Sequence, residues 1–320
     1  MTFEAKYMKQ VNLSGRDFIN LEDFTSEELL SLINYTQILK SKVKNNEEIN
    51  LLKNKTMVMY FSKPSLRTRL SFEIGIKKMG GDAFVLKQDE IILGERESIE
   101  DSSNVISRYC DLIMIRTFAH SDVEDFAKYS KVPVINALTD LSHPCQVLSD
   151  LFTIKEHFGK LRGLTLSFVG DGNNVCNSLL IGCSMLGLNI KVATPKGYEA
   201  DNKIIELAKN YAKENNSYVE IMNDVKTCIK DSDIVYTDVW ASMGKEKEKM
   251  DRINSFKDYT LTMELFNTTN KGAIALHCLP AHKGEEINED VFSLNSKYIY
   301  EEAENRMYTQ MAIMGSIIKD

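Results

Sequence analysis

The residues best placed to do chemistry are Ser65-Leu66-Arg67-Thr68-Arg69, set between the apolar run Thr56–Phe61 and the amphipathic run Leu70–Met79. A strand that ends in a short Ser-Lys-Pro-Ser turn and then opens a helix gathers unpaired backbone N–H groups at one point, and such a point attracts anions. Two arginines and two hydroxyls in the same turn add charge-assisted and bidentate donors, as a phosphate held in one orientation requires. Pro64 fits a helix start, where a missing N–H costs nothing. Taken alone, the five residues could also be an ordinary exposed basic helix start.

Other unusual polar residues also follow apolar runs. Arg116, His143 and Gln146 lie in the first half; Asn173-Asn174, Asp238, Ser242-Met243-Gly244 and His277-Cys278-Leu279-Pro280 lie in the second. Ligands of open parallel sheets bind beyond the carboxyl ends of strands. The expectation is therefore an anion site on the first half facing a site for an amphoteric ligand on the second. Gly170-Asp171-Gly172-Asn173-Asn174 is a near miss to a dinucleotide fingerprint: the third glycine is absent, and Thr194-Pro195-Lys196 stands where a ribose-binding acid belongs. An NAD-dependent oxidoreductase is a weak alternative.

These residues need a scaffold, and the hydropathy pattern supplies one. Thr25-Ser26-Glu27-Glu28 has capping-box spacing before Leu29, Leu32, Ile33 and Thr36 on one helical face. Strands are expected at 56–61, 83–86, 112–116 and 132–136, with helices between them; after a helix from His143 to Phe158, strands recur at 164–169, 190–194, 218–222, 234–238 and 273–277. The alternation implies α/β architecture, two domains each with a parallel sheet flanked by helices and the active site in the cleft between them. The boundaries are read as 1–150, joined by a C-terminal helix over 303–320, and 151–302.

Length suits two domains: 320 residues, 43% hydrophobic and 27% charged. The net charge of −7 argues against nucleic acid, which is bound by broad basic surfaces. No apolar run is long enough for a membrane span and residues 1–15 carry no signal core, so a cytoplasmic location is expected. Six scattered cysteines, without CxxC pairs or zinc spacing, point to reduced, mostly buried thiols and to no metal.

The motifs Ser65-Leu66-Arg67-Thr68-Arg69, His143-Pro144-Cys145-Gln146, Asp238-Val239-Trp240-Ala241-Ser242-Met243-Gly244, His277-Cys278-Leu279-Pro280 and Glu302-Ala303-Glu304-Asn305-Arg306 together resemble the aspartate/ornithine carbamoyltransferase family, on its ornithine side, from about Leu21 to the C-terminus. The resemblance implies that Ser65, Leu66, Arg67, Thr68 and Arg69 hold the phosphate of carbamoyl phosphate. Arg116, His143 and Gln146 then hold its carbamoyl group, and Arg306 completes that side. It implies that Asn174, Asp238, Ser242 and Met243 hold the α-amino and α-carboxylate groups of L-ornithine, with Cys278 and the Leu279 carbonyl meeting the δ-amine. Arg116, His143 and Cys278 are the catalytic set, the product L-citrulline. The loop 242–252 is similar to the family's closing loop. No cofactor or metal is implied, and a homotrimer or a multiple of trimers is. Ile92 departs from the family pattern, where Gln or His reaches a neighbouring subunit's substrate. Putrescine or N-acetylornithine remain alternative amines, and a catalytically silent paralogue remains open.

Overall fold

The computed structural model describes residues 13–87, 94–95, 97–241 and 248–319. The chain forms two compact units, residues 1–149 with 304–320 and residues 150–303.

The first unit carries β1 (Thr56–Phe61), β2 (Asp82–Lys87), β3 (Leu112–Arg116) and β4 (Val134–Leu138) in one parallel sheet of order β2-β1-β3-β4. Its helices are α1 (Ser26–Lys44), α2 (Leu66–Lys78), α3 (Ile99–Ile106) and α4 (His120–Tyr129). β1 and β3 are almost wholly buried, as strands covered on both faces must be. α1 opens on the expected capping box, in which Thr25 and Glu28 each accept the other's backbone N–H. The core on one face joins Tyr60, Ile113, Ile115, Val123, Phe126 and Val134.

The chain passes into the second unit within α5 (Pro144–Phe158). There β5 (Thr165–Val169), β6 (Asn189–Ala193), β7 (Val219–Met222), β8 (Ile234–Thr237) and β9 (Ile274–Leu276) form a parallel sheet of order β7-β6-β5-β8-β9. The order reverses between β5 and β8, the switch point at which open α/β sheets bind ligands. Its helices include α6 (Asn174–Met185), α7 (Asn202–Glu214), α8 (Val225–Ile229), α9 (Lys249–Phe256) and α10 (Met263–Phe266).

The last helix, α11 (Glu289–Ile317), begins well before the expected residue 303. Val291, Phe292 and Ile299 pack into the second unit's core. Met311, Ala312, Ile313 and Met314 are buried in the stretch counted with the first unit. The apolar face therefore changes along one continuous helix, and periodicity sought on a single face finds only the second half. No helix among the described residues is long and apolar enough to cross a membrane.

Candidate active site

In the first unit the expected phosphate residues sit where β1 gives way to α2. Ser65 is the N-cap, its hydroxyl accepting the Thr68 N–H at 3.3 Å. Pro64 therefore lies one residue outside the cap. Leu66 is 71% exposed and has only its backbone N–H to offer an anion. Arg67 is half-buried, whereas Arg69 is exposed and pairs with Glu73 through Nε at 3.1 Å. Thr68 is buried at the centre: its Oγ1 accepts from Arg116 Nη1 at 3.3 Å and from Arg306 Nη2 at 2.9 Å.

Arg116 reaches this point from the carboxyl end of β3. The β3–β4 register slips there, pairing Ile115 with Asn136 but Arg116 with Leu138, and such a bulge re-aims the side chain beside it. His143 and Gln146, at the start of α5, are buried in the same unit. Burial pushes the His143 imidazole well below its usual pKa, and the Arg306 and Arg116 cations push it the same way, so the ring is neutral. Cys145 is a packing thiol: its Sγ donates to the Asn136 carbonyl, and burial raises its pKa to about 12. The set Ser65, Thr68, Arg116, His143, Gln146 and Arg306 thus comes from the ends of β1 and β3, the start of α5 and the body of α11, all in one unit.

In the second unit the expected residues follow β5, β8 and β9. Asn173 caps α6, its Oδ1 accepting the Val175 and Cys176 N–H groups, and its Nδ2 donates to Asp238 Oδ2 at 2.8 Å. Asn174, the next residue, is half-buried at the first position of the helix. The glycines before them serve the turn: a Cβ on Gly172 would lie 2.2 Å from the Ala200 nitrogen, so the 198–200 backbone fills the space beside it. Asp238 also accepts the Cys278 thiol at Oδ1, 3.1 Å away. Burial and then the Asp238 charge hold the Cys278 pKa well above that of a free thiol, so sulfur keeps its proton. Ser242 and Met243 lie outside the described residues, as does Ile92.

His277 and Glu302, to which the sequence motifs gave no role, and Glu286, outside them, hold the Cys278 turn. His277 Nδ1 accepts the Leu279 N–H at 2.8 Å, so Nε2 carries the proton toward Glu286 Oε1 at 3.0 Å. Glu302 accepts the His277 N–H at 2.9 Å and the Tyr236 hydroxyl at 3.0 Å. Burial, then the Asp150 charge, push the Glu302 carboxyl well above the carboxylate range. Leu279 has φ 58°, a left-handed conformation that a non-glycine residue keeps only when its neighbours hold it.

Residues 16–156 match the family model described as the carbamoyl-P binding domain of aspartate/ornithine carbamoyltransferase, and residues 162–317 the one described as its Asp/Orn binding domain. The chain belongs to the aspartate/ornithine carbamoyltransferase family. Among relatives, the ornithine carbamoyltransferase of Thermococcus kodakarensis is 45% identical across 96% of this chain and 98% of its own. That of Caldicellulosiruptor saccharolyticus is 46% identical across 93% and 97%. The solved ornithine carbamoyltransferase of Pyrococcus furiosus aligns with a TM-score of 0.93 at 42% identity, covering 96% of this chain and 98% of that one. The family's second model runs through Ile317, whereas residues 304–320 pack with the first unit; Arg306 accordingly reaches Thr68.

Proposed function

We propose that the protein transfers the carbamoyl group of carbamoyl phosphate to the δ-amine of L-ornithine, giving L-citrulline and phosphate. The observation that carries this reading is the meeting of Arg116 and Arg306 on Thr68, at a helix start capped by Ser65 and in the unit that buries neutral His143. Backbone N–H groups of the first α2 turn, with Arg67 and Arg69, bind the phosphate. Arg116, His143 and Gln146 donate to the carbamoyl oxygen, each such donor contributing roughly 3 kcal/mol as charge grows on it. A neutral imidazole beside two guanidinium groups serves as a donor without adding a third cation.

The amine must arrive neutral. Its lone pair adds to the carbonyl carbon, and the C–O bond to phosphate breaks with its electron pair leaving on phosphate. The nitrogen's surplus proton ends on that phosphate or in solvent. Cys278 stays a thiol, its hydrogen committed to Asp238. It therefore acts by presenting sulfur as an acceptor to the δ-amine beside the Leu279 carbonyl, and no covalent intermediate is needed. Asp238, Asn174, Ser242 and Met243 hold the α-amino and α-carboxylate groups; the Asn173–Asp238 bond supports that role. No metal or organic cofactor enters the scheme.

We also read the protein as cytoplasmic and as a homotrimer or multiple of trimers. An exposed apolar stripe of Leu66, Leu70 and Ile74 on α2, and exposed Phe84 on the edge strand β2, supports self-association of the first unit. The deciding assay offers ornithine, putrescine, N-acetylornithine and aspartate in parallel with carbamoyl phosphate and measures ureido product. A strong ornithine preference is expected. Preference for another amine would overturn the ornithine half, and no product with any of them would overturn the whole assignment.

A further inference from the structure

Arg252 lies in α9, at the far end of the loop 242–252 and with no role assigned to it above, and is 4% exposed despite its charge. One of its nitrogens, Nη1, donates to the Trp240 carbonyl at 2.7 Å and lies 2.8 Å from Asp171 Oδ2 in an ion pair. Its Nε donates to Glu248 Oε2 at 2.9 Å, and its guanidinium lies over the Tyr198 ring at 5.0 Å from the centroid. Asp171 belongs to the turn after β5 and Trp240 to the turn after β8. The same two turns carry Asn173-Asn174 and Asp238. They are bridged a second time by the Asn173–Asp238 hydrogen bond.

We propose that Arg252 is a positioning residue for amino-acid recognition, fixing the spacing between the Asp171–Asn174 turn and the Asp238–Trp240 turn through one nitrogen. The proposal rests on the ornithine reading above. A buried ion pair is a poor source of net stability, because desolvating both charges offsets their attraction, but it is directional in a way apolar packing is not. The Asn173–Asp238 bond ties the two turns just beyond the point where β5 and β8 stop pairing, Val169 opposite Thr237. A second bridge through Asp171 and Trp240 removes the remaining freedom to pivot about it. The groups so fixed are those assigned to the α-amino and α-carboxylate ends of the substrate, whereas Cys278 and Leu279, assigned to the δ-amine, stand on the β9 turn, which Glu302 and Glu286 hold through His277 in addition to the Cys278–Asp238 bond. Loss of the clasp should therefore be felt by ligands that possess α-substituents and not by those that lack them.

The test compares the parent enzyme with Arg252→Met, Arg252→Lys and the isosteric Asp171→Asn. It measures inhibition by L-norvaline, which keeps the α-groups but has no δ-amine, and by putrescine, which has the amine but no α-groups. Arg252→Met is expected to weaken norvaline about tenfold, equivalent to ~1.4 kcal/mol. KM for ornithine should rise in step, while putrescine inhibition and KM for carbamoyl phosphate stay within about twofold of the parent. Arg252→Lys keeps the charge but cannot hold both turns and Glu248 at once, so it should recover part of the loss. Should Arg252→Met fail to fold, Asp171→Asn carries the same expectation. Equal weakening of norvaline and putrescine, or no change in either, overturns the clasp. A parent enzyme that makes no product from ornithine overturns the substrate reading, and the role of Arg252 with it.

Discussion

Thr68 is a small member of its constellation and the one on which two arginines meet. Its hydroxyl accepts from two buried guanidinium groups at once, so Thr68→Val leaves two buried N–H donors without that acceptor. An orphaned buried donor costs roughly 1–3 kcal/mol, and KM for carbamoyl phosphate should rise by at least about tenfold with little change for ornithine. Initial-rate kinetics with each substrate varied in turn separate the two. Cys278→Ala should show the complementary pattern, lowering turnover and ornithine affinity while sparing carbamoyl phosphate. His143 gives a pH signature. Its folded pKa lies below the ordinary 6.5, so between the two values the unfolded chain binds the proton and the folded chain does not. Its contribution to stability is complete above pH 6.5 and shrinks as pH falls below it. Urea midpoints measured from pH 7.5 to 5.5 should fall more steeply for the parent than for His143→Gln.

At the scale of elements, most of the fold was legible and the exceptions have physical causes. Each buried strand is an apolar run between turn residues, and each expected strand matches an observed one to within a residue or two. The first half of α11 escaped because its inward face serves a different core from its second half. α9 and α10 escaped because eight and four residues are too few for a helical period to stand out from a loop. Residue types at strand ends were readable as site candidates; their partners were not. Nothing in the sequence separates Asp171 and Arg252, ion-paired in the interior, from the many charged residues that face solvent, and Glu286 was hidden likewise; Asn173 and Glu302 stood out as residues, but not the partners they take. The β5–α6 turn makes the sharpest element-level forecast. Gly172→Ala places a methyl group 2.2 Å from backbone, which a turn locked by Asn173 cannot yield to. A stability loss of roughly 1–3 kcal/mol is expected by urea denaturation, with ornithine affinity falling alongside.

For the whole molecule, the substrates are assigned to separate units, so each ligand's signature can be read alone. A phosphate-bearing ligand bound only by the folded protein raises the melting temperature; at a hundred times its Kd the gain is about 2.7 kcal/mol. Arg67→Ala should abolish that shift while leaving the unliganded melt near the parent's. The self-association reading predicts a sedimenting mass of three times the 36.4 kDa chain, or a multiple of it. Charged replacements at Leu70 and Ile74 should lower that mass, because an exposed apolar stripe rewards burial only while it stays apolar.

Trp240 is the chain's single tryptophan, and it sits two residues beyond Asp238, buried, with its indole stacked 5.8 Å from the Phe256 ring. Excitation at the red edge of protein absorbance therefore interrogates one address in the molecule, with no averaging over distant indoles. The protein carries its own optical gauge of the turn proposed to bind the amino acid, and titrations of ornithine, norvaline or putrescine should register in its emission without a dye being attached.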